Sequence, residues 1–233
     1  MTSDSFTQPW FAATEENFRA LLIDAIPRDA KDNGTTAIRS IMLAEAALSS
    51  GDKPQAFDSA SRALTLDKQP STQFAGAVVL IQAGQAARAA SIADDLERGI
   101  EPEPQLYGKL LRGEIALHNN DPLKALQFFQ QAQQLTDSWL GRFGLGRAYL
   151  SAHKFAEANS EFESCLKRRG ESGAVFLDDV PSFRYLPPVY YYLARTQEGL
   201  HSPAAKDTYK KFIDLRKTDD PLSLDAKSRV ATQ

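Results

Sequence analysis

The chain of 233 residues carries 27 basic and 30 acidic side chains, for a formal charge of −3, and 42% of it is hydrophobic. Without a basic excess it lacks what phosphate contacts require, which argues against nucleic acid as a partner of this chain by itself. Cys165 is the lone cysteine, which rules out an internal disulfide framework, and the longest apolar runs, such as Ala77 to Ile81, are far short of the roughly 20 residues a membrane crossing needs.

The first thirty residues contain Asp4, Glu15, Glu16 and Asp24 and no basic head followed by an apolar stretch, so they do not read as a secretory signal. The expectation is a soluble, cytoplasmic chain. Residues 1–34 are predicted to form an N-terminal cap. Thr14 with Glu15 and Glu16 starts an amphipathic helix through Phe18, Leu21, Leu22 and Ile26, which Pro27 ends. Trp10 and Phe11 precede it, either as a further staple or as an anchor.

From residue 35 to 219 one pattern recurs. Apolar trios at helical spacing stand at Ala56, Ala60, Ala63; at Ala89, Ala93, Leu96; at Ala125, Phe129, Ala132; at Ala158, Phe162, Cys165; and at Ala205, Tyr209, Phe212. Their first members lie 33, 36, 33 and 47 residues apart, so a two-helix unit is written five times with an insertion, residues 170–188, before the last copy. Ahead of each trio a partner helix carries a small residue: Ala44, Ala77, Gly113, Gly146 and Ala194. The two helices are joined at Gly51-Asp52, Gly84-Gln85, Asn120-Asp121, His153-Lys154 and His201-Ser202, where Gly, Asn and His tolerate the left-handed conformation that ends a helix. Asp220-Pro221 then opens a short polar capping helix in the segment 220–233. Such units cannot bury their own apolar faces, so they must stack.

This pattern resembles the tetratricopeptide repeat, best in the third and fourth copies through Gly113, Ala125, Phe129 and Ala132 and through Leu145, Gly146, Tyr149, Ala158 and Phe162. Arg112 departs from it, standing where that family prefers leucine. The resemblance implies an all-α, right-handed solenoid of about five helical hairpins with capping helices at both ends. The stretches GDKPQAFDSASRALTL, AGQAARAASIADDLERG and FLDDVPSFRYLPPVYYYLARTQEGL are further similar to the repeat arrays of bacterial eukaryotic-like serine/threonine kinases and of some winged-helix regulators. No kinase motif accompanies them, so the expectation is a sensor or docking region of such a protein or a free-standing relative.

No nucleophile elbow, Walker loop, dinucleotide glycine motif or HExxH stretch occurs, and the chain is expected to be non-catalytic and without cofactor. His153 and His201 fall at equivalent turns and His118 two residues before one, which favours turn residues over metal ligands. The pairs Asp94-Asp95 and Asp178-Asp179 read as solvated or capping carboxylates. In the insertion, Val175, Phe176, Leu177, Phe183, Tyr185 and Leu186 concentrate apolar surface. They either pack on the junction of the fourth and fifth units or, with Phe183, Arg184 and Tyr185, rim a pocket for a small ligand.

The family resemblance places a partner, protein or peptide, in the groove lined by the first helix of each unit. Carried over residue by residue, the groove would hold Tyr107, Leu110, Glu114 and Leu117, then Phe143, Arg147 and Leu150, then Tyr191, Arg195 and Glu198. Arg147 and Arg195 hold matching places, either as a guanidinium fork for a carboxylate or as salt-bridge partners of Glu114 and Glu198. The lysine and asparagine clamp by which some relatives grip chaperone tails is missing.

Overall fold

The computed structural model of the chain describes residues 32–173, 185–216 and 219–232. Eleven helices follow one another there: α1 (Asn33–Ser49), α2 (Lys53–Leu66), α3 (Pro70–Gln82), α4 (Ala86–Glu97), α5 (Pro102–His118), α6 (Pro122–Leu135), α7 (Trp139–Ser151), α8 (Phe155–Lys167), α9 (Leu186–Gly199), α10 (Ala205–Leu215) and α11 (Pro221–Thr232). A 3₁₀ turn, Arg169–Gly173, follows α8. Leu186, Pro187 and Pro188, assigned to the insertion from the sequence, form the first turn of α9. The expected helix from Thr14 to Ile26, Trp10, Phe11 and the insertion residues Val175 to Arg184 lie outside the described residues.

Local chemistry sets the helix ends. Asp52, Asp121 and Ser138 accept hydrogen bonds from the backbone N–H groups of Gln55 (3.0 Å), Lys124 (3.1 Å) and Gly141 (3.1 Å), and Asp220 does the same for Ser223 at 2.9 Å. Pro54 and Pro122 sit in first turns, where their missing N–H costs nothing. All five turns inside the hairpins close alike. Gly51, Gly84, Asn120, His153 and His201 have positive φ, from 54° to 86°. The residue after each donates its N–H back across the helix end, as Asp52 to Ala47 O (2.8 Å) and Lys154 to Tyr149 O (2.8 Å) do.

Every member of the five trios is buried, at 0 to 8% exposure, as are the small residues Ala44, Ala77 and Ala194. The close approach is tightest at the third and fourth units. A Cβ on Gly113 would lie 2.5 Å from the Phe129 ring, and one on Gly146 would lie 2.6 Å from that of Phe162. Only hydrogen leaves room for the phenylalanine.

Each helix packs on the next in chain order. In addition α1 touches α3, α3 touches α5, α5 touches α7, α7 touches α9, and α9 touches α11, while successive even-numbered helices make at most marginal contact. The stack therefore closes on its odd-numbered side, making an all-α solenoid of five hairpins whose inner face is built from α1, α3, α5, α7 and α9. The final helix, α11, takes the place of a sixth inner helix. Arg112, the departure from the repeat pattern, reaches back to the preceding hairpin, with Nε 2.5 Å from Glu97 and Nη2 2.5 Å from Asp94, and its guanidinium lies 5.9 Å from the centre of the Phe128 ring. No helix among the described residues is long and apolar enough to cross a membrane.

Candidate functional site

In each inner helix the residue after the small one is turned by about 100° from the hairpin seam, and this gives the column Glu45, Val78, Glu114, Arg147 and Arg195, all partly exposed. Its centre is an ion pair between consecutive hairpins. Arg147 Nη1 donates to Glu114 Oε1 at 2.7 Å, and the two side chains are 21% and 17% exposed. The guanidinium also lies 5.4 Å from the Phe143 ring centre and 5.7 Å from that of Tyr192, so it is held between an acid on α5 and aromatic faces on α7 and α9. Burial disfavours its charge, but the Glu114 carboxylate outweighs that, and the Arg147 pKa is raised.

The aromatic and aliphatic groove residues expected from the sequence take another place. Tyr107, Leu110, Phe143 and Tyr191 are 1 to 5% exposed. Two of them are gripped where inner helices meet, the Phe74 and Tyr107 rings lying 5.5 Å apart and those of Phe143 and Tyr192 5.8 Å, while Tyr191 is held inside the last hairpin with its ring 5.5 Å from that of Phe212 on α10. Their apolar surface is thus spent on packing within the stack, that of Tyr107 and Phe143 between hairpins and that of Tyr191 within the last one. Leu117 and Leu150 remain partly exposed beside the charged column. Tyr185, the one described member of the insertion pocket, stands half-buried with its ring 5.9 Å from Phe143; Phe183 and Arg184 lie outside the described residues.

Around Arg195 the chain supplies its own partners. Arg195 Nη1 donates to the Tyr191 hydroxyl at 3.2 Å and stands 4.0 Å from Asp225, while its Nε is 3.6 Å from Glu198. Tyr191 donates to Asp225 Oδ2 at 2.7 Å, and Tyr209 to Glu198 Oε2 at 2.8 Å. Arg229 of α11 completes the set, bonding Asp225 at 2.6 Å and Glu198 at 2.8 Å. Burial, and then the Asp225 carboxylate, push the Tyr191 hydroxyl up to about 12. The carboxyl of Asp225 is lowered, because the hydrogen bonds from Arg229 and Tyr191 outweigh its burial. Sequence reasoning missed Asp225 and Arg229. The signal available was an acid and a base four positions apart on a short helix.

The other candidates resolve simply. His153 and His201 are the left-handed turn residues described above, and among the described residues no group of three or more His, Cys, Asp or Glu is placed to hold a metal. Asp94 pairs with Arg112 and Asp95 with Arg98. Asp178 and Asp179 lie outside the described residues. Cys165 is fully buried and burial pushes its thiol up to about 12, so it is a packing residue; the Trp139 indole N–H donates to its carbonyl at 2.9 Å. A shallow open cleft of about 450 Å³ lies at the α9–α10 turn, lined by Glu198, His201, Ser202, Pro203, Ala205 and Lys206, at the far end of α9 from Tyr185.

No family model matches the sequence, and no curated protein matches it. Among solved structures the chain is similar to YrrB, described as a TPR protein with an unusual peptide-binding site, at 20% identity and a TM-score of 0.47 over 89% of this chain and 97% of that one.

Proposed function

We propose that this chain is a non-catalytic scaffold that holds a protein or peptide along its inner face, with Arg147 as the group that orients the partner's carboxylate. One observation carries this. The Arg147 guanidinium is fixed by Glu114 through one amino group and by ring faces, while about a fifth of the side chain faces solvent in the middle of the inner face. A guanidinium held in one orientation gives a planar fork for a carboxylate, at little further ordering cost. Leu117 and Leu150 beside it supply apolar contact. The same reading takes the repeat as tetratricopeptide-like and the chain as a docking or sensor region of a larger cytoplasmic signalling protein, on the strength of the three stretches that resemble kinase-linked and regulator-linked arrays.

The test compares Arg147→Lys and Arg147→Gln with the parent chain. Charge reversal is avoided, since it would set two carboxylates side by side at Glu114. Partners captured from lysate, and labelled peptides with a free C-terminus, should bind the parent at least about tenfold more tightly than either variant, and amidating the peptides should remove that difference. Lysine should fail along with glutamine, because it keeps the charge and loses the fork. Undiminished binding by folded Arg147→Gln protein removes Arg147 from the site.

A further inference from the structure

The inner face carries a second column beside the charged one. Three residues after Glu45, Val78, Glu114, Arg147 and Arg195, and hence on the same face of each inner helix, stand Leu48, Ile81, Leu117, Leu150 and Glu198. This column is apolar through four hairpins and ends in a charge at the fifth. Leu48, Leu117 and Leu150 are partly exposed; Ile81 is sunk to 3% exposure, and there the partly exposed Val78 is the apolar group that remains. Arg147 therefore stands at one end of an apolar strip. Toward α1 lie Leu117, Val78 and Leu48, whereas toward α11 lie Arg195 and Glu198, which Asp225, Arg229 and the Tyr209 hydroxyl already engage. Consecutive inner helices touch, and helices in contact run about 8–10 Å apart, so the apolar groups of the strip recur at that interval. Polyproline II is the backbone with the same repeat: three residues per turn at about 3.1 Å each bring every third side chain onto one face at about 9.3 Å. A β-strand sends successive third residues to opposite faces, and an α-helix returns to one face about every 5.4 Å, half the interval the strip offers.

We infer that the inner face takes the C-terminal end of a polyproline II segment with an apolar side chain at every third position, running from its free carboxylate at Arg147 toward α1. This rests on Arg147 being the group that orients a partner's carboxylate, and it adds the backbone form, register and direction of that partner. The last side chain of the segment lies on Leu150, one turn from the Arg147 guanidinium that takes its carboxylate. The side chains three, six and nine residues earlier meet Leu117, Val78 and Leu48. A backbone already set in this form loses little freedom on docking.

The probe is a fluorescein-labelled decapeptide of proline with leucine at its first, fourth, seventh and tenth positions and a free C-terminus, titrated with the full chain. The control keeps the composition and the terminal leucine but sets the other leucines at the second, fifth and eighth positions. The parent chain should bind the first peptide at least about tenfold more tightly than the control. Leu117→Asn, at a partly exposed position, should remove most of that preference. With a photoreactive benzophenone in place of the first leucine, crosslinks should fall on α1. Equal binding of the two peptides by the parent chain overturns the inference without recourse to any variant, as do crosslinks on α9 to α11. If that equal binding is lost in Arg147→Gln and on amidation, the carboxylate reading of Arg147 stands while the register and direction fall; if it is indifferent to both, the carboxylate reading falls with them.

Discussion

The third and fourth hairpins and the C-terminal end of the stack use the same repeat position in opposite ways. In α5–α8 the large trio residues are Phe129 and Phe162, each set with its ring against glycine. In α9–α11 the equivalent residue is Tyr209, its small partner is Ala194, and its hydroxyl donates to Glu198. A phenol is tolerated in that seam because a closing helix brings Arg229 to satisfy Glu198 from the other side. At the trio position the middle of the array is thus joined by ring against glycine, with ion pairs such as Arg147 to Glu114 beside it, whereas at the end the trio residue itself takes part in hydrogen bonds that water and salt can contest.

The sharpest way to break this comparison is to empty the middle seam. Phe129 is fully buried between Gly113 and Gly144 of successive inner helices, and Phe129→Ala should cost roughly 3–5 kcal/mol in urea unfolding. A loss no larger than that of Tyr209→Phe, which removes one hydroxyl and is expected to cost about 0.5–1.5 kcal/mol, would erase the distinction. Overfilling should act in the same direction. Gly146→Leu drives a side chain into the Phe162 ring and should destabilise by about 1–3 kcal/mol, seen as a lower melting temperature. An unchanged melting temperature would contradict the helix phase itself.

That phase was legible from residues alone, because it depends only on spacing: the trios, their small partners and the five left-handed turns all stand where period and turn chemistry put them. Exposure along the inner face was not legible. Tyr107 and Phe143 fall on that face in any reading, but whether they line a groove or vanish between hairpins depends on how closely successive inner helices approach, and no single unit encodes that distance. The two arginines show the same limit. One repeat position left carboxylate fork and salt bridge open; in the fold Arg147 reaches back to Glu114, while Arg195 is drawn toward Glu198 and forward to Asp225, 30 residues on in a helix that carries no repeat signature.

Glu114→Ala tests whether the middle of the array has any polar dependence of its own. It would leave Arg147 largely buried against Phe143 and Tyr192 with no acid beside it, a loss expected to cost about 1–3 kcal/mol. Glu114→Gln, which keeps an acceptor near Nη1, should recover part of that in the same unfolding measurement. If Glu114→Ala is neutral, the ion pair is ornamental, and the middle seam is held by shape with no polar contribution.

The smallest expected effect is also the most selective. The carboxyl of Asp225 is held below its usual range, so its contribution is fully present above the unfolded value of about 3.9 and is lost as pH falls through the lower folded value. Asp137, between α6 and α7, is held lower still, at about 2, chiefly by the hydrogen bond from Arg142, with Arg168 assisting. Its contribution should therefore persist until the pH approaches that value. Acidification from pH 6 to pH 3 should accordingly speed amide exchange in α11 before it does so in α6 and α7, and Asp225→Asn should flatten the response of α11 alone. Exchange rising together in all three helices would mean that the end of the stack is no more loosely joined than its middle, because the Asp137 carboxylate should still be charged at a pH where that of Asp225 is being lost.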